Sequence, residues 1–177
     1  IDSVINAAKE RDSLIMLSET DQMTQLLNRA TGERKSSALI SSGIGGMLCI
    51  IDVDKFKSVN DTFGHNVGDK VLIAIADCLR KAFRDADIVF RLGGDEYAAY
   101  VLSVKTKETG QIVLDRLFEY IDDISIPELG TRKVTLSVGA FIVEEDSNMI
   151  FEDAYVLADA CVYKSKEING NAVHFHE

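Results

Sequence analysis

The chain has 177 residues, of which 46% are hydrophobic and 27% are charged, a composition typical of one globular domain with a substantial core. Its 29 acidic and 19 basic residues give a formal net charge of −10. Because such an acidic surface repels phosphate backbones, we expect no nucleic acid partner. No apolar stretch approaches the ~20 residues of a membrane span, so we expect no membrane contact by this fragment.

The three cysteines, Cys49, Cys78 and Cys161, are far apart and odd in number, which indicates neither a disulfide framework nor a zinc site. Reduced thiols suit the cytoplasm, where we expect the protein to lie. The first residue is Ile rather than Met, so we expect a piece of a longer chain, whose other parts could include a sensor or a membrane anchor.

Residues 1–19 carry apolar side chains at helical intervals with charges between them, which predicts an amphipathic helix. Two interpretations stay open for this helix. It could pack on its own domain, or it could be the end of a signalling coiled coil that belongs to an upstream sensor. We therefore divide the chain into an N-terminal helix, 1–20, for which we favour the signalling interpretation, and one domain, 21–177.

Helices and strands alternate along the rest of the chain. A polar turn at 21–29 leads into a helix, and glycines then break the chain before residue 47. We expect Gly64 and Gly68 to lie in a loop. The patterns predict strands at 47–51, 87–92, 97–103, 134–143 and 172–176, and helices at 55–62, 69–83, 106–123 and 150–167. This order predicts a single α/β sandwich with a central mixed five-stranded sheet flanked by helices.

Acidic residues follow two of these strands. Asp52 ends a buried strand, and Asp95 and Glu96 lie on the tight turn of a later hairpin. If that hairpin lies beside the first strand, three carboxylates converge at one edge of the sheet and repel each other unless a cation separates them. Hard oxygen ligands select Mg²⁺ or Mn²⁺, usually together with phosphate oxygens.

The neighbouring residues suit a nucleotide. Gly93 and Gly94 lack side chains, so a nucleotide can approach their backbone closely. The helix at 55–62 offers free N–H groups to a phosphate, and Lys57 could add a positive charge. Each motif alone has a simpler explanation, because Gly-Gly-Asp-Glu suits an ordinary hairpin and Asp-x-Asp often caps a helix.

The combination is more specific. Residues 52–69 read DVDKFKSVNDTFGHNVGD, and residues 91–97 read RLGGDEY. Both segments resemble the GGDEF family of diguanylate cyclases, with Tyr97 in place of phenylalanine. The blocks 21–29, 135–139 and 158–166 resemble it too, so the resemblance covers about residues 21–176. It implies a fold like that of nucleotidyl cyclases and polymerase palms. It also implies a homodimer that condenses two GTP molecules into cyclic di-GMP by metal-assisted attack of each 3′-hydroxyl.

The resemblance also implies residue roles. Asp52, the Val53 carbonyl and Asp95 correspond to metal ligands, and Asp95 and Glu96 to catalytic acids. Asn60 and Asp69 correspond to the pair that recognises guanine, for which an amide and a carboxylate have the matching donors and acceptors. The remaining substrate-binding positions are Phe56, Lys57, Gly93, Gly94 and Lys166. Arg84 and Asp87 correspond to an Arg-x-x-Asp site at which the product inhibits the enzyme.

The sequence departs from the family at two positions. Gly170 occupies the place of an arginine, so one phosphate contact is missing, which costs on the order of 1.5–3 kcal/mol of binding. Gln25 replaces a glycine of the opening turn. We interpret His65 as a residue that structures a loop. The alternatives are a catalytically weak or inactive receptor for GTP or cyclic di-GMP, and a related cyclase with another nucleotide preference.

Overall fold

The computed structural model describes all 177 residues, which form six α-helices, five strands and one 3₁₀ turn. In chain order these are α1 Asp2–Glu19, α2 Arg29–Ser41, β1 Gly46–Val53, α3 Phe56–Phe63, α4 His65–Ala82, β2 Ile88–Gly93, β3 Glu96–Val101, α5 Lys107–Asp122, the 3₁₀ turn Pro127–Leu129, β4 Leu136–Val143, α6 Phe151–Ser165 and β5 Ala172–Phe175. The predicted type and order of these elements are confirmed.

All five strands belong to one sheet, in the spatial order β2-β3-β1-β4-β5. The central strand β1 pairs antiparallel with β3 on one side and with β4 on the other, whereas β4 and β5 are parallel. The predicted mixed sheet is therefore confirmed. Every residue of β1 is buried, which explains its nearly continuous apolar sequence.

Helices cover both faces of the sheet. Successive side chains of β1 point to opposite faces, so Cys49 and Ile51 join one core while Leu48 and Ile50 join the other. The larger core includes the buried faces of α4 and α5, and the smaller one includes apolar residues of α2 and α6. The result is a three-layer sandwich in which both ends of β1 emerge between two layers of helices.

The helix α1 extends away from this sandwich. None of its residues is buried, and Val4 and Leu14 are 70% and 62% exposed. Only its end is tied to the domain, where Asn28 Nδ2 donates to the Ser18 carbonyl at 2.8 Å. In this structure α1 therefore does not pack along its own domain, and its part in a signalling coiled coil stays a prediction.

The loop predicted around Gly64 and Gly68 is also corrected. The helix α4 begins at His65, so His65 is helical, and Gly68 lies inside the first turns of α4. A Cβ at Gly68 would stand 1.9 Å from Asn60 Oδ1, so this glycine admits the side chain of a neighbouring helix. Among the helices, none has both the length and the apolar character needed to cross a bilayer.

Candidate active site

The strand pairing brings the predicted acidic residues to one edge of the sheet. Asp52 near the end of β1 stands directly opposite Glu96 at the start of β3. The Val53 amide donates to the Asp95 carbonyl at 3.2 Å. The signature turn, Gly93–Glu96, therefore lies beside the end of β1, as the sequence predicts.

The carboxylates at this edge repel each other. Burial raises the pKa of the Asp95 carboxyl, and the negative charge of Asp52 raises it further. Burial also raises the pKa of Glu96, with further contributions from Asp52 and Asp95. Both shifts show that negative charge is crowded here, because each carboxylate is harder to ionise beside the others.

The expected convergence of three carboxylates on one ion is corrected. No group of three or more Asp, Glu, His or Cys side chains is arranged to hold a metal ion. Asp52 and Asp95 lie near enough for the negative charge of Asp52 to raise the pKa of Asp95. Glu96 lies opposite Asp52 on the same face of the sheet, where the charge of Asp159 also reaches it. Asp52 and Asp95 line one cleft, whereas Glu96 does not, so these two carboxylates form the acidic pair.

Lys166, just after α6, provides a positive charge at this edge. Its ammonium group forms an ion pair with the Asp52 carboxylate, and this hydrogen bond raises the pKa of Lys166. A cation is therefore already favoured beside Asp52. Oxygen donors with excess negative charge are the ligands that a hard divalent cation prefers, so Asp52 and Asp95 fit Mg²⁺ or Mn²⁺.

Asp54 has a different role from Asp52. Its two carboxylate oxygens accept hydrogen bonds from Thr135 Oγ1 at 2.7 Å and from Ser137 Oγ at 2.6 Å. Both hydroxyls belong to the segment that runs into β4. Asp54 therefore holds the loop after β1 against β4, and its lone pairs are largely used within the protein.

A cleft of about 780 Å³ opens beside the acidic pair. Asp52, Val53, Asp95, Phe56, Lys57 and Lys166 line it, in agreement with the prediction that these residues share a site. It is also lined by Lys55, Arg132 and Lys133, which the sequence analysis missed, and by Gly170. Arg132 and Lys133 belong to no motif. The only available signal was two adjacent basic residues just before the family-like block at 135–139.

Other predicted substrate residues lie outside this cleft lining. The Asn60 side chain of α3 lies against Gly68 of α4, the residue that precedes Asp69. Asn60 Oδ1 is buried and has no hydrogen-bond partner. Phe56 lies between the two places, because it lines the cleft and also reaches Gly68. An unsatisfied acceptor at this position is suited to a ligand with an N–H group.

The signature turn is open and firmly held. Gly93 and Gly94 have φ values of 138° and 52°, and nothing lies within 4 Å of where a Cβ would stand at either. Arg91 donates from Nη2 and Nε to the Gly94 carbonyl, at 2.7 and 3.1 Å. Its Nη1 donates to both carboxylate oxygens of Asp21 at 3.2 Å. Arg91 therefore connects the signature turn to the opening turn that follows α1.

Tyr97 replaces the usual phenylalanine without leaving a polar group unpaired. Its ring is fully buried, and its hydroxyl donates to the Leu72 carbonyl of α4 at 2.9 Å. The buried hydroxyl therefore has the hydrogen-bond partner that a buried tyrosine needs.

Arg84 and Asp87 line a separate pocket of about 230 Å³, which Arg116 on α5 also lines. The Asp87 side chain is buried, and its two oxygens accept from the backbone amides of Arg84 and Leu102, both at 2.9 Å. The Arg84 residue is exposed. The structure brings the two predicted residues together, but it uses the Asp87 carboxylate to hold its own loop. The sequence analysis missed Arg116.

Comparison with known proteins agrees with this geometry. The profile of the family described as "Diguanylate cyclase, GGDEF domain" matches residues 18–172. The chain is 31% identical over 162 residues to the probable diguanylate cyclase DgcT of Escherichia coli (strain K12), covering 89% of this chain and 35% of that protein. It spans about a third of the length of the curated relatives it matches.

Two solved structures are similar in fold. The diguanylate cyclase SiaD of Pseudomonas aeruginosa, in complex with its activator SiaC, has a TM-score of 0.78 and 28% identity, covering 98% of this chain and 68% of that one. The GGDEF domain of DgcB from Caulobacter crescentus, in complex with c-di-GMP, has a TM-score of 0.82 and 23% identity, covering 90% of this chain and 94% of that one.

Proposed function

Because this chain belongs to the GGDEF-domain family of diguanylate cyclases, we propose that it condenses two GTP molecules into cyclic di-GMP and two pyrophosphates. The observation that carries this proposal is the acidic pair, Asp52 and Asp95, at the mouth of a cleft with five basic side chains. The pair supplies ligands for a divalent cation, and the cleft supplies positive charge for a triphosphate.

The metal ligands in this proposal are the Asp52 and Asp95 carboxylates and the Val53 carbonyl. A bound Mg²⁺ or Mn²⁺ lowers the pKa of the attacking 3′-hydroxyl and neutralises charge on the phosphates. Lys166 pairs with Asp52 in this structure, and its ammonium group would be available to a phosphate if Asp52 held a cation. In this proposal the Asp95 and Glu96 carboxylates accept the hydroxyl proton.

The phosphates and the base have separate contacts. The start of α3 has no side-chain cap, so its first amides are free to donate to a phosphate, with Lys57 beside them. Asn60 Oδ1, which lacks a partner, and the Asp69 carboxylate accept from guanine N–H groups. Adenine lacks this pair of donors, so the site prefers GTP. Phe56 lies between the phosphate contacts and the base contacts.

The reaction needs two copies of the chain. One active site holds one GTP, and each 3′-oxygen forms a bond to the α-phosphorus of the partner's GTP. The bond between that phosphorus and the bridging oxygen breaks, and pyrophosphate leaves. The exposed apolar residues of α1 suit pairing with a second copy, through which an upstream sensor in a cytoplasmic signalling protein controls the dimer.

The second pocket is proposed as the product-inhibition site. The Arg84 guanidinium and Arg116 face a space that a phosphate or guanine edge of cyclic di-GMP can occupy. We expect Arg84→Ala to raise the final yield of cyclic di-GMP, because the product no longer slows the reaction. Progress curves of the two proteins under identical conditions measure this, and superimposable curves would contradict it.

The second candidate is a receptor that binds GTP or cyclic di-GMP without turnover, favoured by Gly170 in place of an arginine. The deciding experiment incubates the protein with Mg²⁺ and GTP, or with ATP as the control, and identifies products by mass. Formation of cyclic di-GMP from GTP alone supports the cyclase. Binding of GTP without product supports the receptor, and a product from ATP contradicts the proposed guanine preference.

A further inference from the structure

The basic side chains of the cleft differ in whether they already form an ion pair or a hydrogen bond within the protein. Lys166 forms an ion pair with Asp52. Lys133 is exposed, and its ammonium group donates to the Asp122 carbonyl at 3.3 Å, away from the acidic pair. Arg132 forms no ion pair with any carboxylate of the protein. An arginine without an anionic partner, in a cleft of this size, has its charge free for a ligand.

Arg132 is nevertheless held in place. Its guanidinium lies over the Phe63 ring, 5.8 Å from the ring centroid, and Nη2 is 3.4 Å from the Lys55 carbonyl. Both partners belong to the ends of α3, the helix whose first amides face the cleft. The stacking contact restricts the guanidinium without using most of its N–H donors. Arg132 is therefore preorganised beside the loop that joins β1 to α3.

Gly170 has no side chain, so the positive charge that an arginine at this position would contribute must come from another part of the chain. Its φ of 95° is a backbone conformation that residues with a side chain rarely adopt, although nothing lies within 4 Å of where its Cβ would stand. An arginine at position 170 would find room but would strain the backbone. The cleft thus has an open space next to Gly170 and an unpaired guanidinium on another of its walls.

We infer that Arg132 binds the terminal phosphates of GTP and supplies the charge that an arginine at position 170 would supply. This inference rests on the proposed use of GTP. The α-phosphate must lie at the acidic pair for the attack, where Lys166 already stands. Arg132 pairs with neither Asp52 nor Asp95 and adjoins Lys55, so it faces the β- and γ-phosphates as they extend along the cleft.

The test compares nucleotides that differ only in those phosphates. Dissociation constants for GTP and GMP are measured with Mg²⁺ for the wild type, Arg132→Gln and the control Lys81→Gln, which changes an exposed lysine of α4 outside the cleft. We expect Arg132→Gln to weaken GTP binding roughly 10- to 100-fold, as for loss of one or two charge-assisted hydrogen bonds, and to leave GMP binding unchanged. Lys81→Gln should change both constants by less than about threefold.

A purely structural role for Arg132 would give a different result. Equal loss of GTP and GMP affinity, or no loss of either, overturns the inference. If circular dichroism shows that Arg132→Gln does not fold, Arg132→Lys takes its place in the same comparison of GTP and GMP affinities. Lysine keeps the positive charge but cannot donate two parallel hydrogen bonds to one phosphate. If the wild type itself does not bind GTP, the proposed function fails rather than the assignment of Arg132.

Discussion

Two aspartates of this domain, Asp95 and Asp87, lie in similar places and in opposite electrostatic conditions. Each follows or precedes a strand of the β2–β3 hairpin. The Asp87 carboxylate is buried but accepts a backbone amide on each oxygen. Asp95 lies beside Asp52, and burial together with that charge raises its pKa. The first carboxylate stabilises the fold, whereas the second is held where its charge is unfavourable.

This difference separates a structural acid from a functional one. A carboxylate whose lone pairs are filled by the protein has little left to offer a cation. A cation bound between two neighbouring carboxylates removes the repulsion between them. The free energy of that repulsion therefore adds to the affinity of the protein for the metal. Asp52 and Asp95 belong to the second group, while Asp54 and Asp87 belong to the first.

The largest effect is expected for Asp95→Asn. Because this change removes a metal ligand, cyclic di-GMP formation should fall by at least about a hundredfold, the equivalent of roughly 3 kcal/mol of transition-state stabilisation. Initial rates with Mg²⁺ and GTP measure it.

The same variant should be more stable than the wild type in EDTA, since it removes the repulsion with Asp52. Loss of both activity and stability would contradict this view of Asp95.

The pH dependence of that stability gain has a definite sign. Since the folded state raises the pKa of Asp95 above 3.8, the folded protein binds this proton more tightly than the unfolded chain does. The contribution of Asp95 to stability is therefore present at low pH and is lost as the pH rises through its raised pKa. In urea unfolding with EDTA, the free energy of unfolding of Asp95→Asn minus that of the wild type should increase from acidic to neutral pH. A constant difference would contradict the sign.

The next largest effect is expected for Asp87→Ala. It leaves the Arg84 and Leu102 amides without their acceptor, which should lower the free energy of unfolding by about 2–4 kcal/mol, as for two lost buried hydrogen bonds. Arg84→Ala is the matched control, because only the Arg84 backbone takes part in this bonding, and it should cost less than about 0.5 kcal/mol. Equal losses in urea unfolding would contradict the structural role of Asp87.

The smallest effect concerns the turn that holds Asp21, a third satisfied aspartate. Gln25 in this turn has a φ of 61°, which explains why a glycine suits the position. Gln25→Gly should raise the free energy of unfolding by about 0.5–1 kcal/mol, because relief of the left-handed strain exceeds the entropy that glycine loses. Gln25→Ala keeps the strain and is the control. If alanine stabilises as much as glycine, the strain is not the cause.

Much of the fold was predictable because it depends on local patterns. Apolar periodicity placed the five strands and the helices α1, α3, α5 and α6 to within about two residues, and the glycines of the signature turn marked the β2–β3 hairpin. The start of α4 was missed because Gly64 and Gly68 are usual loop signals. A glycine is needed at position 68 of this helix because the Asn60 side chain, from a neighbouring helix, occupies the space where a Cβ would lie.

The sequence by itself determined the family, the order of the helices and strands, and the identity of the main acidic residues. Each of these depends on short, contiguous sequence motifs. Only the tertiary structure decided that Lys166 pairs with Asp52, that Asp87 is bonded to backbone amides, and that Arg132 lies in the cleft. These facts depend on the strand order β2-β3-β1-β4-β5, which brings together residues far apart in the chain. A contact between distant residues leaves no periodic signal in a single sequence.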